Sequence, residues 1–175
     1  MTDTIFTGVR LLDPASGLDQ RGDLLVRDGR IADLGPGLGR PDGAVEVRGD
    51  GAVLCPGLVD MRAALGEPGF EYRETIASAA AAAAAGGITT LAALPDSQPA
   101  IDDPALVGML RARGEALGSL TILPYGAVTR GCRGEEMAEL GLLHEAGAVA
   151  FTDGARAIGP TRLMRLALSY ARGFG

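Results

Sequence analysis

Histidine is almost missing: His144 is the only one in 175 residues. A metal centre built on several imidazoles therefore cannot be made from this chain's residues alone. Cysteine is nearly as scarce, with Cys55 and Cys132 far apart and no C-x-x-C pair. Neither a disulfide framework nor a zinc ribbon is indicated, Cys132 is read as a free thiol, and a reducing cytoplasm is the simplest compartment. No run of Lys or Arg forms a phosphate-attracting patch, and 16 basic against 22 acidic residues leave a net charge of −6, which argues against nucleic acid as a partner. The longest low-complexity run, Ala79 to Ala85, falls far short of the roughly 20 apolar residues that span a bilayer. It reads as helix, alanine being the best helix former, and no membrane association is expected. Met1-Thr2-Asp3-Thr4 is acidic and polar where an export signal is basic and then apolar, so no export is expected. Gly86-Gly87 is followed by neither G-x-G-x-x-G nor G-K-[ST], and reads as a helix stop rather than a phosphate loop.

What is present is a globular composition, 47% hydrophobic, in a chain of ordinary domain size. Residues 1–55 read as a small β unit. Thr4 to Leu12 and Asp23 to Leu34 are short aliphatic runs, Asp28-Gly29 is a two-residue hairpin turn, and Val45 to Val47 and Ala52 to Leu54 continue the pattern. After Pro56 the rhythm becomes strand then helix. Leu58 to Arg62 is followed by a helix over about Thr75 to Ala85. Ile88 to Leu94 is an apolar strand of the kind buried on both faces. Asp103 caps and Pro104 opens a helix to about Leu117, with Leu106, Met109 and Leu110 on one side. Leu120 to Leu123 is a third strand, and a helix is predicted from about Glu135 to Ala146 with Met137, Leu140 and Leu143 on one face. His144 then decorates its C-terminal end, where positive charge is favoured. Ala148 to Phe151 is the fourth strand, and Thr161 to Ala171 the last helix. Four such units in a row predict a parallel α/β sheet in 56–175.

The run Pro56-Gly57-Leu58-Val59-Asp60-Met61-Arg62-Ala63-Ala64-Leu65-Gly66-Glu67-Pro68-Gly69 carries a resemblance. It is similar to the first barrel strand of dihydroorotases, cyclic-amide hydrolases of the amidohydrolase superfamily, whose pattern reads P-G-L-V-D-x-H-x-H-x-R-E-P-G. Leu94-Pro95-Asp96-Ser97 and Ala150-Phe151-Thr152-Asp153 extend the likeness over nearly the whole chain. The resemblance implies the first half of an amidohydrolase-type (β/α)₈ TIM barrel, residues 56–175, preceded by a half-sandwich N-terminal unit, residues 1–55. A full barrel of this kind runs to about 250 residues.

The same resemblance defines a vestigial site at Asp60, Arg62, Ala64, Gly66, Asp96 and Asp153. In the family a metal-activated hydroxide opens a cyclic ureide, with zinc held by imidazole and carboxylate at strand ends. Alternate residues of a strand share a face, which is why an H-x-H strand suits the task. Here those positions hold Arg62, a permanent cation, and Ala64, which has no lone pair. The substrate-clamping Arg and Asn positions hold Gly66 and Asp96, and Asp153 alone matches the metal-bridging carboxylate. No catalytic residue is intact and neither zinc nor any other cofactor is expected. Arg62 is predicted to find a carboxylate, Asp153 or Asp96, and Glu67 is read as structural. The resemblance implies a non-catalytic dihydroorotase homologue of pyrimidine biosynthesis, partnered by aspartate transcarbamoylase. The competing reading is an active amidohydrolase whose remaining ligands lie in a missing C-terminal half. Open apolar edges on the first and fourth strands predict a homo-oligomer.

Overall fold

The structure is a computed structural model and describes residues 2–174. It divides into two units, 1–56 and 57–175. The first is a mixed five-stranded sheet. Strands β1 (Thr4–Asp13), β2 (Leu18–Arg27), β3 (Arg30–Gly35) and β4 (Val45–Arg48) lie in the order β3-β2-β1-β4, and β5 (Val53–Leu54) also pairs with β1. The β1–β2 and β2–β3 pairs are antiparallel, while β4 and β5 run parallel to β1.

The β2–β3 turn is the predicted one. Asp28 and Gly29 have φ of 49° and 72°, the double positive-φ conformation that matches strand twist. The sequence reading missed the first half of β2, Leu18 to Gly22, because its residues are mostly polar and exposed. Val9, Leu11 and Leu24 form the buried cluster of this unit, with Phe6, Leu18, Val26 and Leu54 packed against it.

The second unit alternates strand and helix: β6 (Leu58–Ala63), α1 (Ile76–Ala85), β7 (Ile88–Ala93), α2 (Pro104–Leu117), β8 (Thr121–Gly126), α3 (Leu140–Glu145), β9 (Ala150–Phe151) and α4 (Thr161–Ala171). The strands lie in the order β6-β7-β8-β9, every pair parallel, giving a partly curled half-barrel sheet. Its core gathers Ile76 and Ala80 of α1, Val107 and Leu110 of α2, and Leu91 and Ile122 from the strands.

The helices begin and end where the chain supplies partners. Thr75 and Ser78 form a reciprocal cap on α1: the Ser78 amide donates to Thr75 Oγ1 at 3.1 Å and the Thr75 amide to Ser78 Oγ at 3.0 Å. Asp103 accepts from the Ala105 amide at 2.8 Å, Pro104 occupies the first turn of α2, and Gly118 closes that helix with φ of 67°. Among the described residues no helix is long and apolar enough to cross a membrane.

Several expectations need correction. The helix predicted from Glu135 is only Leu140–Glu145. Residues 135–139 instead lie against the strand-like segment 128–130, where Ala138 N–H donates to Val128 O at 2.9 Å and Arg130 N–H to Glu136 O at 2.8 Å. The second of those bonds takes the Glu136 carbonyl, which a longer helix would have used to accept the Leu140 amide. Strand β7 is buried on both faces only over Leu91 to Ala93, Thr89 being exposed. The buried face of α2 centres on Val107, Leu110 and Gly114, with Leu106 and Met109 at its flanks. The fourth strand shrinks to two residues, although the Val149 amide still donates to Pro124 O at 3.0 Å.

Candidate functional site

Because β6 to β9 run parallel, their C-terminal ends share one side of the sheet; Asp60 and Arg62 lie within β6, and Ala64, Gly66, Asp96 and Asp153 in the loops that follow β6, β7 and β9. The end of β6 is irregular. Its pairing with β7 slips between Asp60 and Ala63. Asp60 Oδ1 turns back to accept the Arg62 amide at 2.9 Å, and the Met61 carbonyl accepts from the Tyr125 hydroxyl at 2.8 Å. Tyr125 thus reaches from β8 to serve a backbone oxygen of β6.

Arg62 is exposed and makes no ion pair among the described residues, so the predicted bond to Asp153 or Asp96 does not form. The reason lies with the carboxylates. Asp153 is 4% exposed and both its oxygens are engaged by Thr129: Oδ1 accepts the Thr129 amide at 2.9 Å and Oδ2 the Thr129 hydroxyl at 2.5 Å. Asp96 lies exposed in the loop after β7. A guanidinium already in water gains little from an exposed carboxylate, so nothing draws Arg62 inward.

Thr129 relays this anchor onward. Its hydroxyl oxygen accepts the Gly134 amide at 2.8 Å while its own proton goes to Asp153. One buried carboxylate therefore fixes the loop between β8 and α3 at two points. Nearby, Cys132 is buried with its thiol against the Pro95 carbonyl at 3.8 Å. Burial, reinforced by the Asp153, Asp102 and Asp96 carboxylates, pushes the thiol pKa up to about 12, which removes it as a nucleophile near neutral pH.

Ala64 is exposed, and Gly66 sits in a closed turn where its carbonyl accepts the Phe70 amide at 2.6 Å. A Cβ at Gly66 would lie 2.7 Å from the Phe70 carbonyl oxygen and collide with that of Glu74. The backbone after β6 is folded onto the space a side chain would need. Glu67 ties the same loop to its helix, accepting the Ile76 amide at 3.1 Å and facing Arg113 at 3.4 Å.

The hydroxyl and carboxylate that meet at these loop ends, Thr129 and Asp153, are both buried and bonded to the loop's own groups. Among the described residues no three His, Cys, Asp or Glu side chains group as a metal ion requires, and His144 is exposed on α3, stacked on Phe174 with ring centroids 4.8 Å apart. Arg62, Ala64 and an Asp153 committed to Thr129 do not fit a zinc centre. Sequence reasoning missed Tyr125 and Thr129. No spacing rule joins Thr129 to Asp153 across 24 residues, and the only cue is that each closes a strand–loop junction.

Comparison with known proteins places this geometry in a family. The family described as "Dihydro-orotase-like" matches residues 51–172. A dihydroorotase of Pelobacter propionicus is 46% identical over 164 residues, covering 94% of this chain and 39% of that protein. One from Geobacter sulfurreducens is 42% identical over 171 residues, covering 98% of this chain and 40% of the relative. The chain thus spans about two fifths of the length of these relatives. Among solved structures, an L-hydantoinase (dihydropyrimidinase) from Arthrobacter aurescens superposes with a TM-score of 0.69 at 24% identity, over 86% of this chain and 32% of that one. A dihydroorotase structure gives 0.63 at 16% identity, over 98% and 50%. At that identity these two speak for the fold alone, whereas the family match over most of the chain settles membership: this chain belongs to the dihydroorotase-like family.

Proposed function

We propose that the chain is a dihydroorotase-like protein of pyrimidine biosynthesis that has lost catalysis and serves as a structural partner of aspartate transcarbamoylase in the cytoplasm. In this reading, residues 1–55 are the family's half sandwich and 56–175 the first four units of its barrel. The H-x-H positions of the β6 motif hold Arg62 and Ala64, and that single observation carries the proposal. The clamp positions, Gly66 and Asp96, support it, since neither can hold an anionic substrate: one has no side chain and the other repels. The Asp153 bonds support it too, because that carboxylate works as a loop anchor.

The test is metal content and dihydroorotate turnover of the purified protein. The proposal expects substoichiometric zinc and no turnover above a metal-free blank; stoichiometric zinc with turnover sinks it. The partnership is tested by co-purification with aspartate transcarbamoylase, which should be indifferent to chelators. Independent elution of the two at micromolar concentration counts against it.

A second reading draws on the relatives. A protein called dihydroorotase is 46% identical to this chain, which spans only 39% of its length. An active metal-dependent amidohydrolase would then take its remaining ligands from residues outside this chain. Bound zinc in the purified protein would favour that reading over the first.

A further inference from the structure

Two slips in the pairing of β6 with β7 cancel each other. Leu58 pairs with Ile88 and Ala63 with Ala93, at the same offset, whereas Val59 pairs with Thr90 and Asp60 with Leu91, one residue further along β7. Thr89 is therefore the extra residue on β7, and one of Met61 and Arg62 the extra residue on β6. A short middle stretch is displaced between flanks that are not. Each slip has its own support. At the first, Gly57 carries no side chain where Thr89 stands, and a Cβ there would collide with the threonine. At the second, Met61 and Arg62 have no pairing residue on β7, and side chains serve their backbone instead. The Arg62 amide donates to Asp60 Oδ1 at 2.9 Å, a turn closed on the residue two before it, and the Met61 carbonyl accepts from the Tyr125 hydroxyl at 2.8 Å.

Flanks at a common offset leave a second pairing open to the same residues, with no bulge in either strand. Val59 would then face Thr89, Asp60 Thr90, Met61 Leu91 and Arg62 Ala92, and neither flanking loop would change length. The two registers differ in what they present. Successive residues of a strand alternate between its faces, so in the continuous register Asp60, Arg62 and Ala64 share one face. With an extra residue in between, the alternation shifts by one and Arg62 falls out of step with Asp60.

We propose that Tyr125 and Asp60 form a latch that holds β6 in the displaced register and so decides which face of the strand carries Arg62. Tyr125 is a positioning residue: from β8 it acts on a backbone oxygen of β6, with β7 between them. Asp60 acts on the amide two residues along its own strand. Both ties exist only while the bulge does, and with both cut the strand relaxes to the continuous pairing. Two packings of one segment separated by a few contacts are the material of a conformational switch. The latch concerns strand register and is independent of whether the protein is a catalyst.

The experiment is nuclear magnetic resonance on the isotope-labelled full chain, reading cross-strand backbone NOEs and amide exchange along β6. The wild type should show contacts between Val59 and Thr90 and between Asp60 and Leu91. Tyr125→Phe removes only the hydroxyl and should shift the balance toward the continuous register by roughly fivefold, the worth of one net hydrogen bond. Combined with Asp60→Ala it should go further, with contacts between Asp60 and Thr90 and between Met61 and Leu91 taking over. Asp60→Asn keeps an oxygen for the Arg62 amide and should retain the wild-type contacts, which a role for the charge would not allow. Far-UV circular dichroism checks each fold. Should the double variant unfold, Tyr125→Phe alone decides, through exchange at least roughly fivefold faster at residues 61–63 and unchanged at Leu91 and Ile122. A wild type already in the continuous register, a folded double variant that does not gain the new contacts, an Asp60→Asn that loses the old ones, or exchange that rises equally along β6, β7 and β8 would each overturn the proposal.

Discussion

The end of β6 and the loop ends of β8 and β9 differ in what their polar groups do. At β6 and just after it, Arg62 is exposed and makes no ion pair among the described residues, Ala64 carries only a methyl group, and Gly66 is covered by backbone. At β8 and β9, Asp153 and Thr129 are buried and every side-chain oxygen is bonded. Polar groups persist where they hold the chain's own amides in place. A carboxylate that satisfies buried donors cannot be removed cheaply, since it leaves those donors bare.

The comparison breaks first at Asp153. Asp153→Ala strands the Thr129 amide and hydroxyl in a buried site and should cost about 3 kcal/mol in urea unfolding, with Asp153→Asn costing less because it keeps one acceptor. A change within 0.5 kcal/mol, on the order of an ordinary surface substitution, would mean the anchor carries no load. Gly66→Arg comes next. It forces a side chain into the Phe70 and Glu74 carbonyls and should cost about 2 kcal/mol, with faster amide exchange in the loop 66–75 as the local signature. Wild-type exchange there would show that the loop opens without strain.

Thr75→Ala removes the α1 cap and should cost about 1 kcal/mol, read from the thermal midpoint. It sharpens the contrast, because the polar groups that still matter after β6 are those tied to a helix start. Smallest is Arg62→Ala, expected to leave stability within about 0.5 kcal/mol of wild type, as for an exposed residue without a partner. A clear loss would reveal a contact for Arg62.

What could be read from the residues follows the same division. Local signals carried the elements whose cause is local: Asp28-Gly29 set a turn, Asp103-Pro104 opened α2, and α4 spans the predicted Thr161–Ala171. The three-residue apolar spacing at Met137, Leu140 and Leu143 misled, because residues 136–138 are held by segment 128–130, a pairing that helical periodicity does not encode. At the site, the residue types at 62, 64 and 66 were legible, but their surroundings were not. The Arg62 pairing failed because Asp153 was already committed to Thr129, a bond made by the fold across two strand ends.

Gly66 constrains substitution as well as structure. With the Phe70 amide on its carbonyl and the Glu74 and Phe70 oxygens where a Cβ would stand, the turn admits no side chain until the loop is rebuilt. A larger residue at 66 therefore calls for two changes, one in the path of the loop and one at the position itself. The turn acts as a filter on what the chain can carry here: the backbone must move before any side chain fits.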